Sequence, residues 1–233
     1  MASIGALEIL ERDIGRVGIR PASSYAPSVV PTGLPALDEL LPEGGLPRGR
    51  VVEWAGPSSS GKTAVLRASL EYQRRNGESV ALIDGSETLY APDWNRLVAG
   101  EGEFWIVRPG SVAEATWCAD LLLRSGAFGA VVLRVAEPVP VLGRSASVRL
   151  QRLAEEAAAV FVTVGQATIA ALRLGFRPGH IEPVADTGFG PFLPSVRPVW
   201  IRVGKRGATE VPVLCPVPAP RSHPATRDRK GPL

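Results

Sequence analysis

Residues 51–55, Val-Val-Glu-Trp-Ala, run directly into Gly56-Pro57-Ser58-Ser59-Ser60-Gly61-Lys62-Thr63, and an amphipathic stretch over residues 62–75 follows at once. Strand, glycine/serine-rich octapeptide and helix in that order leave few folds open. A Gly-x-x-x-x-Gly-Lys-Ser/Thr loop so flanked turns backbone N–H groups and the positive end of the helix toward phosphate oxygens. In such a loop Lys62 reaches the β- and γ-phosphates, and the Thr63 hydroxyl ligates Mg²⁺. ATP or ADP with Mg²⁺ is the cofactor this pattern implies, and folding does not require it. The bland alternative is a glycine/serine turn that binds nothing.

Composition sharpens that reading. Only Lys62, Lys205 and Lys230 are lysine among 26 basic residues. A lysine at the one position that grips phosphate stands against a strong arginine bias. The net charge of +3 is no nucleic-acid footprint, because Arg221, Arg227, Arg229 and Lys230 against Asp228 account for all of it. Residues 1–218 are formally neutral. Cys118 and Cys215 lie far apart and outside any metal-ligand spacing, which predicts two reduced thiols in the cytoplasm. No run of eighteen apolar residues predicts a membrane span, and the first residues lack the pattern of a secretory signal.

Along the chain, short apolar segments at 51–55, 79–84, 104–108, 128–135 and 159–165 alternate with helical patterns at 62–75, 90–98, 111–125 and 145–158. That alternation predicts βαβ units and an α/β fold, with a mainly parallel sheet covered by helices on both faces. Ser111 and Glu114 form a capping box for the third helix. Residues 172–194, rich in Gly and Pro, read as a loop. Residues 196–203 and 209–214 read as an antiparallel closing hairpin across residues 204–207.

Residues 1–30 divide into an amphipathic helix and a linker. The helix, over 6–14, carries Leu7, Ile9, Leu10 and Ile14 as its apolar stripe and docks on this domain or on a partner. The core spans 31–215, and a disordered, basic, proline-rich tail covers 216–233.

The second half of a phosphate site is an acidic residue at the end of another buried strand. Here the candidate strand ends in Arg134. Glu137 stands three residues later, before Pro138, and must reach back to serve. Glu87 is the other weak catalytic candidate, in a loop after Asp84. Tyr90 and Trp94 are candidates for stacking on an adenine, with packing onto the domain as the alternative. Trp105 and Trp117 read as core. Arg177, His180 and Arg197 flank the glycine/proline-rich segment, where a solvated loop is preferred over weak single-strand contact.

The ordered set Pro31-Thr-Gly-Leu-Pro-Ala-Leu-Asp38, Gly44-Gly-Leu-Pro-Arg-Gly-Arg-Val-Val-Glu53, Gly56–Thr63, Val80-Ala-Leu-Ile-Asp84 and Arg124-Ser-Gly-Ala127 resembles the bacterial RecA recombinases, over roughly residues 30–205. The resemblance implies a RecA-like fold. It also implies a catalytic glutamate at the position of Ser86, a strand-end aspartate at the position of Arg134, and a γ-phosphate-sensing glutamine at Gln166. The first two are replaced here, and the family's later lysine pair has no counterpart after Lys205. The first DNA-binding loop is compressed to about residues 137–145.

Those departures resemble the ImuA family, short RecA-like accessory proteins of bacterial damage-induced mutagenesis. That resemblance implies a cytoplasmic adaptor, associated with the nucleoid on DNA damage and without robust hydrolysis. Its implied partners are an error-prone polymerase complex of ImuB-like and DnaE-type proteins, RecA itself, and weakly held single-stranded DNA. Two other readings stand beside it: a divergent DNA-dependent ATPase using Glu87 or Glu137, and a scaffold that binds no nucleotide.

Overall fold

The computed structural model describes residues 29–135, 142–165, 167, 169–178, 195–204 and 206–215. The amphipathic segment 6–14, residues 137–141 of the compressed loop with Glu137, Gln166, His180 and the tail lie outside them.

The chain enters through β1 (Val29–Val30), followed by the short helix α1 (Pro35–Asp38) and β2 (Leu46–Pro47), which pairs antiparallel with β1. The α1 entry turn is held by Asp38, whose Oδ1 accepts from the Thr32 N–H at 2.8 Å and from its hydroxyl at 2.7 Å. β3 (Arg50–Ala55) feeds the glycine-rich loop and α2 (Lys62–Arg75).

There follow β4 (Val80–Asp84), α3 (Asn95–Val98), β5 (Phe104–Val107), α4 (Val112–Arg124), β6 (Ala130–Arg134), α5 (Arg144–Ala157) and β7 (Val160–Val164). The chain ends in β8 (Leu172–Pro178), β9 (Ser195–Val203) and β10 (Gly207–Cys215). α4 starts where predicted: Ser111 Oγ accepts from the Glu114 N–H at 3.2 Å, and Glu114 Oε2 accepts from the Gly110 N–H at 2.9 Å.

Eight strands form one sheet in the order β10-β9-β8-β3-β7-β6-β4-β5. The six from β8 to β5 are mutually parallel, and β9 and β10 continue the sheet antiparallel. Both faces are covered, as parallel sheets require. One face packs Val52, Trp54, Leu82, Val132 and Val162 against Val65, Leu66 and Leu70 of α2. The other packs Val51, Ile83, Val131 and Phe161 against Leu122 of α4 and Leu150 of α5.

Two readings are corrected here. Residues 172–178 are not loop: β8 lies parallel to β3 and antiparallel to β9. Leu172, Leu174 and Phe176 are buried on one face, while Arg173 and Arg177 are exposed on the other. This period-two alternation is that of a half-buried strand. Gly175 and Pro178 disguised it. The Phe176 ring stacks on Trp54, with centroids 4.9 Å apart. Trp117 is also not a core residue, being exposed on the outer side of α4.

Candidate nucleotide site

All parallel strands end on the same edge of the sheet, the edge where open α/β folds bind ligands. The glycine-rich loop follows β3 there. Ser59 takes a positive φ of 61° and Gly61 one of 86°, which turns the chain sharply into the first turn of α2. The first N–H groups of any α-helix have no intrahelical acceptor, and they carry the positive end of its dipole.

Lys62 Nζ donates to the carbonyl of Gly56, so the ammonium is folded back across its own loop. Ser60 is buried, and among the described residues its hydroxyl has no hydrogen-bond partner. A buried hydroxyl in that condition costs about 1–3 kcal/mol until something satisfies it. The loop is also braced from the side. A Cβ on Gly56 would meet the Phe176 carbonyl oxygen at 2.5 Å, and one on Gly61 would meet Val199 Cγ2 at 2.4 Å. β8 and β9 therefore set the shape of the loop, and the residues present fit a nucleotide's phosphates.

The acidic half is built differently. Asp84, at the end of β4, is 0 % exposed. Its Oδ1 accepts from the Ser86 hydroxyl at 2.9 Å, and its Oδ2 accepts from the Leu89 N–H at 3.1 Å. Arg134 places Nη1 3.9 Å from Oδ1, and Arg108 places Nε 3.7 Å from Oδ2. Arg134 Nη2 donates to the Thr88 hydroxyl at 2.8 Å, and Arg108 Nη2 donates to the Leu89 carbonyl at 2.9 Å.

The carboxylate is thus consumed by its own surroundings. The register Arg134–Val164 on β6 and β7, then Val164–Trp54 on β7 and β3, puts Arg134 two strands from the phosphate loop, about 10 Å away. Its guanidinium is turned to the β4 side.

The remaining candidates fall as follows. Glu87 is exposed with φ of 52°, and no side-chain bond holds it among the described residues. Tyr90 is 63 % exposed. Trp94 is 3 % exposed and stacks on Phe104 at 6.3 Å, so packing explains it and it is not available to a base.

The segment flanking Gln166 is tied to β3. Gly165 N–H donates to Trp54 O at 3.0 Å, and Ala167 N–H donates to Glu53 Oε2 at 3.0 Å. Glu53, Arg108 and Thr88 were missed from sequence. Arg108 follows from strand register alone: Ile83 pairs with Val107, so the next residues, Asp84 and Arg108, come side by side.

Thr63 stands at the second position of α2. Among the described residues, no group of three or more His, Cys, Asp or Glu side chains gathers to hold a metal. The phosphate half of a nucleotide site fits the described residues.

Residues 4–156 match the RecA N-terminal domain. The chain belongs to that family. It is 42% identical to Protein RecA of Salinispora tropica over 127 residues, which are 54% of this chain and 36% of the relative. It is 36% identical to Protein RecA of Enterococcus faecalis over 139 residues, 58% of this chain and 40% of the relative.

The matched stretch is thus about two fifths or less of the length of those RecA proteins. The fold is shared with a KaiC-like protein of Pyrococcus horikoshii, at a TM-score of 0.53 and 16% identity over 81% of this chain and 99% of that one. No helix among the described residues is long and apolar enough to cross a membrane.

Proposed function

We propose that this RecA-family domain binds a nucleoside triphosphate at Gly56–Thr63 without hydrolysing it efficiently. It acts as a binding module in the DNA-damage response, not as a recombinase or motor. The observation that carries this reading is the pairing of an open phosphate loop with an Asp84 that Ser86, Leu89, Arg108 and Arg134 already occupy.

A bound nucleotide supplies its own phosphate charge and carries Mg²⁺. The chain's residues would supply the grip: Lys62 would exchange the Gly56 carbonyl for a phosphate oxygen, the α2 N-terminus would add its dipole, and Thr63 would offer its hydroxyl to the cation. Turnover would also need a group that takes a proton from the attacking water. Among the described residues, Asp84 is closed and Glu87 is turned into an exposed left-handed bend.

The finer role follows from the same departures. A RecA-like core that retains the loop and carries Ser86 and Arg134 where the recombinases carry acids suits an adaptor of the ImuA kind. Its partners would be an error-prone polymerase complex with ImuB-like and DnaE-type proteins, and RecA itself.

The test is thermal unfolding of the full chain with and without ATP or ADP. Ligand at a hundredfold its dissociation constant adds about 2.7 kcal/mol of stability. The gain should vanish in Lys62→Ala. No gain in the wild-type chain would refute nucleotide binding.

A further inference from the structure

Asp84 carries one negative charge, and two guanidinium groups face it. Arg108 places Nε 3.7 Å from one carboxylate oxygen, and Arg134 places Nη1 3.9 Å from the other. The cluster therefore holds one positive charge more than this carboxylate balances. Glu87 stands in the same loop as Ser86 and Thr88, and among the described residues no ion pair joins it to either arginine.

The two arginines are held differently. Arg108 follows β5, four strands from β3, and donates to the backbone carbonyl of Leu89. Arg134 ends β6, only two strands from β3. Among the described residues its side chain makes one hydrogen bond, at 2.8 Å to the hydroxyl of the exposed Thr88. At 3.9 Å its Nη1 is beyond hydrogen-bond distance of Asp84. If Arg134 leaves, Asp84 keeps its bonds from Ser86 and Leu89, and Arg108 remains as its counter-charge.

Strand parity sets the side on which Arg134 can turn. Side chains alternate across a strand, and Val132, two residues earlier, packs on the face that α2 covers. Arg134 pairs with Val164, and Val164 pairs with Trp54. Val164 and Trp54 belong to that same α2 face, so all three residues line the edge from which the phosphate loop rises.

The backbone there is fixed, since the Arg134 carbonyl accepts from the Gly85 N–H at 2.8 Å. Only the side chain has to move. The six bonds from Cα to Nη, twice those of one extended residue, reach about 7 Å. With a hydrogen bond of about 3 Å added, that covers two inter-strand spacings of roughly 10 Å in all. In phosphate-loop sites the strand-end position serves the metal that bridges the β- and γ-phosphate oxygens. An arginine at that position meets the oxygens themselves.

We infer that Arg134 is a ligand of the terminal phosphate and makes the site select a nucleoside triphosphate over the diphosphate. This rests on the nucleotide reading above. On binding, the guanidinium exchanges one exposed hydroxyl for an anionic oxygen. A charge-assisted bond is about twice as strong as a neutral one. A diphosphate offers no terminal oxygen at that place, and Arg134 then stays on Thr88.

The test is calorimetric titration of the full chain with ATP and with ADP under the same buffer and Mg²⁺. ATP should bind at least about tenfold more tightly than ADP. Arg134→Gln should collapse that ratio to about twofold or less, leaving the neutral bond only. Thr88→Val removes the competing acceptor while keeping Arg134 and Asp84, and should raise the ratio severalfold. Equal affinities in the wild-type chain, a ratio kept in Arg134→Gln, or one that does not rise in Thr88→Val would each overturn the inference and leave the nucleotide reading standing. Binding of neither nucleotide would overturn both.

Discussion

Arg134 places a guanidinium nitrogen 3.9 Å from the carboxylate of Asp84, across adjacent parallel strands whose register pairs the two residues directly. A cation thus closes the strand-end position opposite an aspartate that is wholly buried. Together with Arg108 it builds a network at the strand ends in which each Asp84 oxygen accepts one hydrogen bond and has a guanidinium nitrogen 3.7–3.9 Å away.

Asp84→Ala should therefore act on stability first. It strands the Leu89 N–H at a buried gap and takes the carboxylate away from Arg108 and Arg134, which keep only the Leu89 carbonyl and the Thr88 hydroxyl. Removing one partner of a buried charged network costs about 3–5 kcal/mol. Urea denaturation should show an unfolding free energy lower by that amount. A change under 1 kcal/mol would contradict the network.

Gly61→Ala should damage fold and ligand site together. The residue needs its φ of 86°, and a Cβ would stand 2.4 Å from Val199 Cγ2. The strain costs about 1–3 kcal/mol. Calorimetric titration with ATP should show affinity falling at least tenfold, because β9 must move or the loop must open.

Arg74→Leu should loosen one local segment. Arg74 is buried, donating to the carbonyls of Leu97, Val98 and Gly100, and that burial pulls its pKa below the usual arginine range against the opposing field of Glu103. The substitution leaves those carbonyls without their donor, at about 2–4 kcal/mol. Hydrogen exchange should rise most over residues 95–102.

Cys118 ties stability to alkaline pH. Burial, aided by the nearby Glu114 charge, pushes its thiol from 9.0 up to about 11. The folded protein keeps a proton that the unfolded chain releases. The stability present below pH 9 is therefore lost progressively as pH rises toward 11, by about 2–3 kcal/mol in all. Cys118→Ala should flatten that part of the stability–pH curve.

Most of the parallel sheet is legible in the sequence, because apolar runs of five between amphipathic helices can be buried only in one way. β8 is not, since Gly175 and Pro178 give it the composition of a loop while its alternation is that of a strand. The phosphate loop is legible as a local pattern. The Asp84 network is not, because it joins residues 84, 108 and 134 through strand register, which no local window contains. Trp94 shows the same limit: its ring is claimed by Phe104, on a strand ten residues away.

The most direct measurement of the central claim is release of inorganic phosphate from ATP by the purified full chain under saturating nucleotide, with and without single-stranded DNA. The account predicts saturable ATP binding and no phosphate release above that of a Lys62→Ala control in either condition. Sustained release that single-stranded DNA accelerates and Lys62→Ala abolishes would contradict it.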